Sequence, residues 1–269
     1  MSETTTADWD DAYANAAHIT GAEDYIDRWA GDAATFRKTW MEKDLDVVYG
    51  ESPRQRFDVF RPERSSKGLL VFVHGGYWLR FDKSFWSHYA AGALAKGWTV
   101  CLPSYDLAPE VRIADITRQI GAAVVKVAER VGGNIRLAGH SAGGHLVTRM
   151  ICDDSPLSPD TLDRVERVIS ISGLHDLRPL RNTSMNESFR MSEVDAVAES
   201  PALKKPVRDC PVVAWVGSEE RPEFLRQSRL LADAWPSASY HEEAGRHHFD
   251  VIDGLKDPES DLTKTLLAG

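Results

Sequence analysis

The run Gly139-His140-Ser141-Ala142-Gly143 constrains this chain more than any other segment. It follows Asn134-Ile135-Arg136-Leu137-Ala138, which reads as a buried strand, and it opens a helix-forming run from Ala142 to Ile151. Strand, sharp turn and helix are the setting in which G-x-S-x-G forms a nucleophile elbow. The turn forces Ser141 into a strained backbone conformation, and the flanking glycines remove Cβ atoms that would clash there. A serine hydroxyl is therefore expected above the C-terminal edge of a sheet, beside a helix N-terminus.

The rest of the chain supplies such a sheet. Phe57-Asp58-Val59-Phe60 alternates like a strand, and Leu69 to Val73 and Trp98 to Leu102 are continuous apolar runs suited to strands covered on both faces. Beyond Pro103, strands and helices alternate. Ile113 to Val131 has a helical pattern, Val165 to Ile171 and Pro211 to Val216 read as strands, and Pro222 to Trp235 reads as a helix. A last short strand is expected near Ala238 to His241, followed by a helical tail past Phe249. The pattern predicts an α/β fold with a mostly parallel central sheet and helices on both faces. Residues 1–269 are expected to form a single domain. Residues 20–45 read as an amphipathic helix carrying Tyr25, Trp29, Ala33, Phe36 and Trp40, within a helical N-terminal extension over 1–44. That extension could cap the site or pack on the sheet. The polar, proline-containing stretch 177–205 breaks the rhythm and is expected to be a partial lid, with a plain surface connection as the alternative.

Composition excludes several functions. Of the 269 residues, 42% are hydrophobic and 27% charged, with a formal net charge of −9, so an extended nucleic-acid or anionic-membrane surface is not expected. Met1 to Asp11 lacks the basic-then-apolar order of a signal peptide. No apolar run approaches the ~18 residues of a membrane span. Cys101, Cys152 and Cys210 give no disulfide framework and read as small buried hydrophobes in a reduced, cytoplasmic setting.

A serine hydroxyl needs a base within hydrogen-bond reach, and the base needs an orienting acid. Of the five histidines after Ser141, His145 lies on the elbow helix and points away, His175 follows an inner strand, and His241 sits in or beside the last strand. His247 and His248 follow that strand in a glycine-containing loop, where a base must hang. His248 is preferred because Phe249 can pack into the fold and fix it, with His247 as the alternative. Glu219, Glu220 and Glu223 follow the strand ending at Val216-Gly217, and Glu220 is the preferred acid, with Glu219 second. Glu223, just inside a helix that Pro222 begins, reads as a charge complementing the helix dipole. His74-Gly75-Gly76-Tyr77-Trp78, directly after an apolar strand, supplies glycines whose backbone can approach a ligand. Gly75 and Gly76, with Ala142 after the nucleophile, are the expected oxyanion donors. His74 reads as a buttress of that loop. Tyr77 and Phe189 are nominees for an aromatic substrate wall against a core-packing alternative, and Trp78 reads as core. Adjacent histidines without a carboxylate pattern make a poor ligand set, so no metal or organic cofactor is expected.

The His74–Trp78 and Gly139–Leu146 pair resembles the α/β-hydrolase superfamily in its esterase/lipase branch. Tyr105-Asp106-Leu107-Ala108-Pro109-Glu110 is similar to a structural segment of hormone-sensitive-lipase-like esterases, with Asp106 where arginine is usual. Residues 74–78 and 139–145, Pro222-Glu223-Phe224 and His248-Phe249 resemble the kynurenine formamidases more narrowly. That family's acid is typically an aspartate two residues before the proline, and here the position holds Glu220. The resemblance implies hydrolysis of N-formyl-kynurenine to kynurenine and formate, a step of tryptophan breakdown. A carboxylesterase or thioesterase for short acyl groups, and a non-catalytic module of the same fold, are the alternatives. The expected partner is a small-molecule substrate. The residues leave the oligomeric state open, a homodimer included.

Overall fold

A computed structural model describes residues 5–269, so the first four residues of the expected extension lie outside it. In chain order come helices α1 (Thr6–Tyr13) and α2 (Ala22–Thr39), then strands β1 (Lys43–Val48), β2 (Arg56–Phe60) and β3 (Gly68–Val73). Helix α3 (Ala91–Ala95), strand β4 (Thr99–Pro103), helix α4 (Ile113–Ala128) and strand β5 (Asn134–His140) follow. Next are α5 (Ala142–Arg149), α6 (Pro159–Asp163), β6 (Val165–Ile171), α7 (Asn186–Phe189) and α8 (Glu193–Ala198). The chain closes with β7 (Val212–Gly217), α9 (Pro222–Ala234), β8 (Ala238–Glu243) and α10 (Asp261–Leu267).

The strands form one eight-stranded sheet in the order β1-β2-β4-β3-β5-β6-β7-β8. Only β2 runs antiparallel to its neighbours; β4 through β8 are parallel. The apolar run of β3 divides between two cores. Leu69, Val71 and Val73 face the core built with α4, α5 and α9, while Leu70 and Phe72 face that of α2, α3 and α10. This is the period-two alternation of a strand covered on both sides. Helix α4 buries Ile113, Ile116, Ile120, Val124 and Val127 at helical spacing, and Asp115 caps its start through the Arg112 N–H.

Residues 20–45 do not form one helix. Helix α2 ends at Thr39, Trp40 is extended, and Lys43–Val48 pairs with β2 as an edge strand. The apolar spacing of the helix continues into a segment whose Leu45 and Val47 alternate, which hides the boundary. The expected helical tail past Phe249 resolves into a short 3-10 turn at Asp253–Lys256 and α10.

The sheet order brings the chemistry together. Strand β3 lies between β4 and β5, so connections leave it in opposite directions and open a crevice at the strands' carboxyl ends. Val73 pairs with Gly139, so the glycine loop after β3 and the elbow after β5 emerge side by side.

Candidate active site

Ser141 has φ 56° and ψ −119°, a left-handed strain enforced by its surroundings. A Cβ on Gly139 would sit 2.1 Å from the Gly143 carbonyl oxygen, and one on Gly143 would sit 2.0 Å from that of Val73. Both positions therefore exclude any side chain. The Ser141 N–H donates to the Ile171 carbonyl at 2.8 Å, which ties the elbow to β6.

Glu220 and His248 meet in a buried pair. His248 Nδ1–H donates to Glu220 Oε2 at 2.6 Å. Glu220 Oε1 accepts from the Gly217 N–H at 3.0 Å and from the Ser172 hydroxyl, so the carboxylate is held by three donors. Glu219 is exposed and its side chain does not take part. Glu223 points elsewhere, accepting from Tyr13 and Gln227 and pairing with Arg226. The His248 ring packs against Phe224 at 4.5 Å and His140 at 4.7 Å. His140 Nε2–H donates to the His248 carbonyl at 2.9 Å, so the residue before the serine also fixes the histidine loop. Ser172 carries no motif that marks it for this task; the sheet order alone brings it here. Ser141 and His248 line one cavity, but no hydrogen bond joins them among the described residues. Nδ1 is committed to Glu220, which leaves Nε2 as the ring atom free to serve the hydroxyl.

The glycine loop is strained and braced. Gly76, Tyr77 and Trp78 all have positive φ (105°, 53° and 56°). A Cβ on Gly75 would lie 2.8 Å from the His140 carbonyl oxygen and 2.9 Å from Ser141 Cβ, so only glycine lets the loop approach the elbow. His74 Nδ1–H donates to the Gly75 carbonyl at 2.7 Å, while the Tyr105 hydroxyl donates to the His74 carbonyl at 2.9 Å and its ring stacks on His74. Burial lowers the His74 pKa to about 4. The 105–110 segment thus supports the glycine loop, with Ala108 N–H bonded to the Trp78 carbonyl. The N–H groups of Gly75, Gly76 and Ala142 have no acceptor among the described residues, and Gly76 lines the cavity.

The other histidines are structural. His145 donates to the Glu199 carbonyl, and His175 bridges Ser170 and the Gln227 carbonyl. His241 stacks on Trp215 at the sheet edge. His247 bonds the Tyr25 hydroxyl on α2 at 3.1 Å and is absent from the cavity wall. Tyr77 lines the cavity. Phe189 does not: it is buried in the core, edge-on to Trp78 at 5.8 Å. Helix α7 turns it inward because the space beneath the loop is apolar. From the 177–205 stretch, Ser184 and Met185 reach the cavity.

The cavity has a volume of about 720 Å³. Its floor holds Ser141, His140 and His248, and its aromatic lining includes Tyr77, Phe81, Trp86 and Phe249. Much of the roof comes from the N-terminal segment, through Tyr13, Asn15, Ala22, Ile26 and Trp29. The spacing of apolar residues marks this segment as amphipathic but does not show which surface it covers. An elbow serine, a nearby histidine bonded to a buried carboxylate, and backbone donors left free among the described residues are the groups that acyl transfer to water requires.

The family described by its α/β-hydrolase fold matches residues 70–224. The kynurenine formamidase of Danio rerio is 31% identical over 83% of this chain and 80% of its own length. That of Salmo salar is 29% identical over 93% and 87%. A crystal structure from a Silicibacter species, of a protein proposed to be a thioesterase, has 52% identity and a TM-score of 0.94, covering 96% of this chain and 98% of that one. Esterase B of Lactobacillus rhamnosis shares the fold at 15% identity and a TM-score of 0.68, covering 91% of each chain. The chain therefore belongs to the α/β-hydrolase family, as a hydrolase that resembles the kynurenine formamidases.

Proposed function

We propose that Ser141, His248 and Glu220 form a catalytic triad that hydrolyses an aryl formamide such as N-formyl-kynurenine. The observation that carries the triad is the buried 2.6 Å bond from His248 to Glu220, beside an elbow serine in the same cavity. Ser141 attacks the formyl carbon while His248 Nε2 takes its proton. Glu220 holds the tautomer and stabilises the imidazolium. The N–H groups of Gly75, Gly76 and Ala142 stabilise the oxyanion. His248 then protonates the leaving aniline nitrogen. Water, activated by the same histidine, releases formate from the serine ester. An aromatic wall of Tyr77, Phe81, Trp86 and Phe249 suits a flat aryl leaving group, and the relatives named kynurenine formamidase support that choice. The N-terminal segment and the turn at Ser184-Met185 together act as the lid.

A second reading, short-acyl thioesterase or carboxylesterase, draws support from the Silicibacter protein at 52% identity. Purified protein is assayed on N-formyl-kynurenine, p-nitrophenyl acetate and a short acyl thioester. Formamide turnover well above background supports the first reading. Background turnover of the formamide alongside efficient ester or thioester cleavage replaces it with the second.

A further inference from the structure

The cavity mouth carries opposite charges that nothing in the fold consumes. Arg80, just past the glycine loop, is exposed, and its side chain makes no hydrogen bond or ion pair among the described residues. Its charge opposes the upward pull of burial and Glu220 on the pKa of the half-buried Tyr77. Glu23, on the first turn of α2, lines the same cavity, is exposed and is likewise unpaired among the described residues. The two do not pair with each other. Asp10, the other carboxylate in the wall, already accepts from the Ser184 N–H at 2.7 Å.

We propose that this mouth is a subsite for an amino-acid zwitterion, with Arg80 receiving the substrate carboxylate and Glu23 its ammonium group. The inference deepens the formamidase reading and rests on it for the identity of the acyl group. N-formyl-kynurenine carries both charges at the end remote from its formamide. With the formyl carbon at Ser141 and the aryl ring along the aromatic wall, that end is directed toward the opening. A guanidinium donates two parallel N–H bonds to a carboxylate in a forked geometry, which a simple ester of a neutral alcohol cannot use.

The test compares two pairs of substrates that differ in the zwitterion alone. One is N-formyl-kynurenine against 2′-formamidoacetophenone, and the other is O-acetyl-tyrosine against p-tolyl acetate. The readout is the ratio of kcat/KM within each pair for wild type, Arg80→Gln, Arg80→Lys and Glu23→Gln. Arg80→Gln is expected to reduce the zwitterion preference about tenfold through KM, with Arg80→Lys retaining part of it. Glu23→Gln is expected to cost about threefold. A preference unchanged in Arg80→Gln and Glu23→Gln overturns the subsite, even if formamides are cleaved well. If neither formamide is cleaved while the ester pair keeps an Arg80-dependent preference, the subsite stands and the formamidase reading falls.

Discussion

His248 Nδ1–H donates to Glu220 Oε2 at 2.6 Å, and the two residues are joined through the whole of α9 and β8. Glutamate can hold this position because Gly217 N–H and Ser172 hold its other oxygen. Glu220→Gln keeps the shape but removes the charge proposed to stabilise the imidazolium, and kcat/KM is expected to fall about a thousandfold or more. Glu220→Asp shortens the stem by one methylene and pulls the carboxylate back from the ring. A loss of about tenfold to a hundredfold is expected. Steady-state kinetics on any turned-over substrate measure both. A Glu220→Gln enzyme within tenfold of wild type would remove Glu220 from the triad.

The adjacent histidines provide a sharper contrast. His248→Ala is expected to lower kcat by about three or more orders of magnitude, because it removes the proposed base itself. His247→Ala loses a 3.1 Å bond to the Tyr25 hydroxyl, a ring contact with Tyr25 and the 3.1 Å bond its Nδ1 accepts from the Phe249 N–H, none of which involves Ser141. Its effect is expected to stay within about tenfold. Labelling by an organophosphonate should follow the same order and should vanish in Ser141→Ala. Equal losses in the two histidine variants would place the base elsewhere.

What the residues disclosed in advance follows from where the information lies. The elbow, the glycine loop and Glu220 were legible because each carries a local signature: a steric need for glycine, or a carboxylate just past a strand. The contribution of Ser172 depends on β6 lying between β5 and β7, and strand order is a tertiary property. Phe189 misled because an aromatic residue on a short helix has no periodicity to show which way it faces. The end of α2 at Thr39 was hidden because the apolar spacing runs on into β1.

Acid stability should be set by buried neutral histidines. Burial lowers the pKa of His74 to about 4 and of His145 and His175 to about 3, and holds that of His140 well down, with repulsion from His248 adding to it. In the unfolded chain these rings titrate near 6.5, so below that pH the unfolded state binds more protons than the folded state. Their stabilising contribution is therefore complete above about pH 6.5 and is lost as the pH falls from there toward 3 to 4. Each additional proton taken up on unfolding costs about 1.4 kcal/mol per pH unit. Urea unfolding should give a midpoint that is flat from pH 7 to 8 and falls steeply from pH 6.5 to 4.5. A His175→Asn variant, weaker at neutral pH, should show a shallower fall over that window. Identical slopes would mean that His175 is not part of the acid response.

Tyr13 joins the N-terminal roof to the residues behind the proposed triad. Its hydroxyl donates to Glu223 Oε1 at 2.7 Å, and its carbonyl accepts from the Tyr77 hydroxyl at 2.7 Å. Its ring meets Phe224, which packs on His248. Asp11 adds an ion pair with Arg221 on the same side. Tyr13→Phe keeps the ring and removes the bond to Glu223 and a long 3.5 Å bond from Gln227 Nε2, while the Glu223 carboxylate still has Arg226 and Gln227. Because Glu223 stays partnered, a loss of about 1 kcal/mol is expected, concentrated in the N-terminal segment. Hydrogen exchange should speed up in α1 and the start of α2 while α4 and α9 stay protected. KM for an aryl substrate should rise several-fold with kcat nearly unchanged, since the wall loosens and the triad does not. If exchange speeds up uniformly, or if kcat falls with KM unchanged, the segment is acting on the triad rather than on the roof of the cavity.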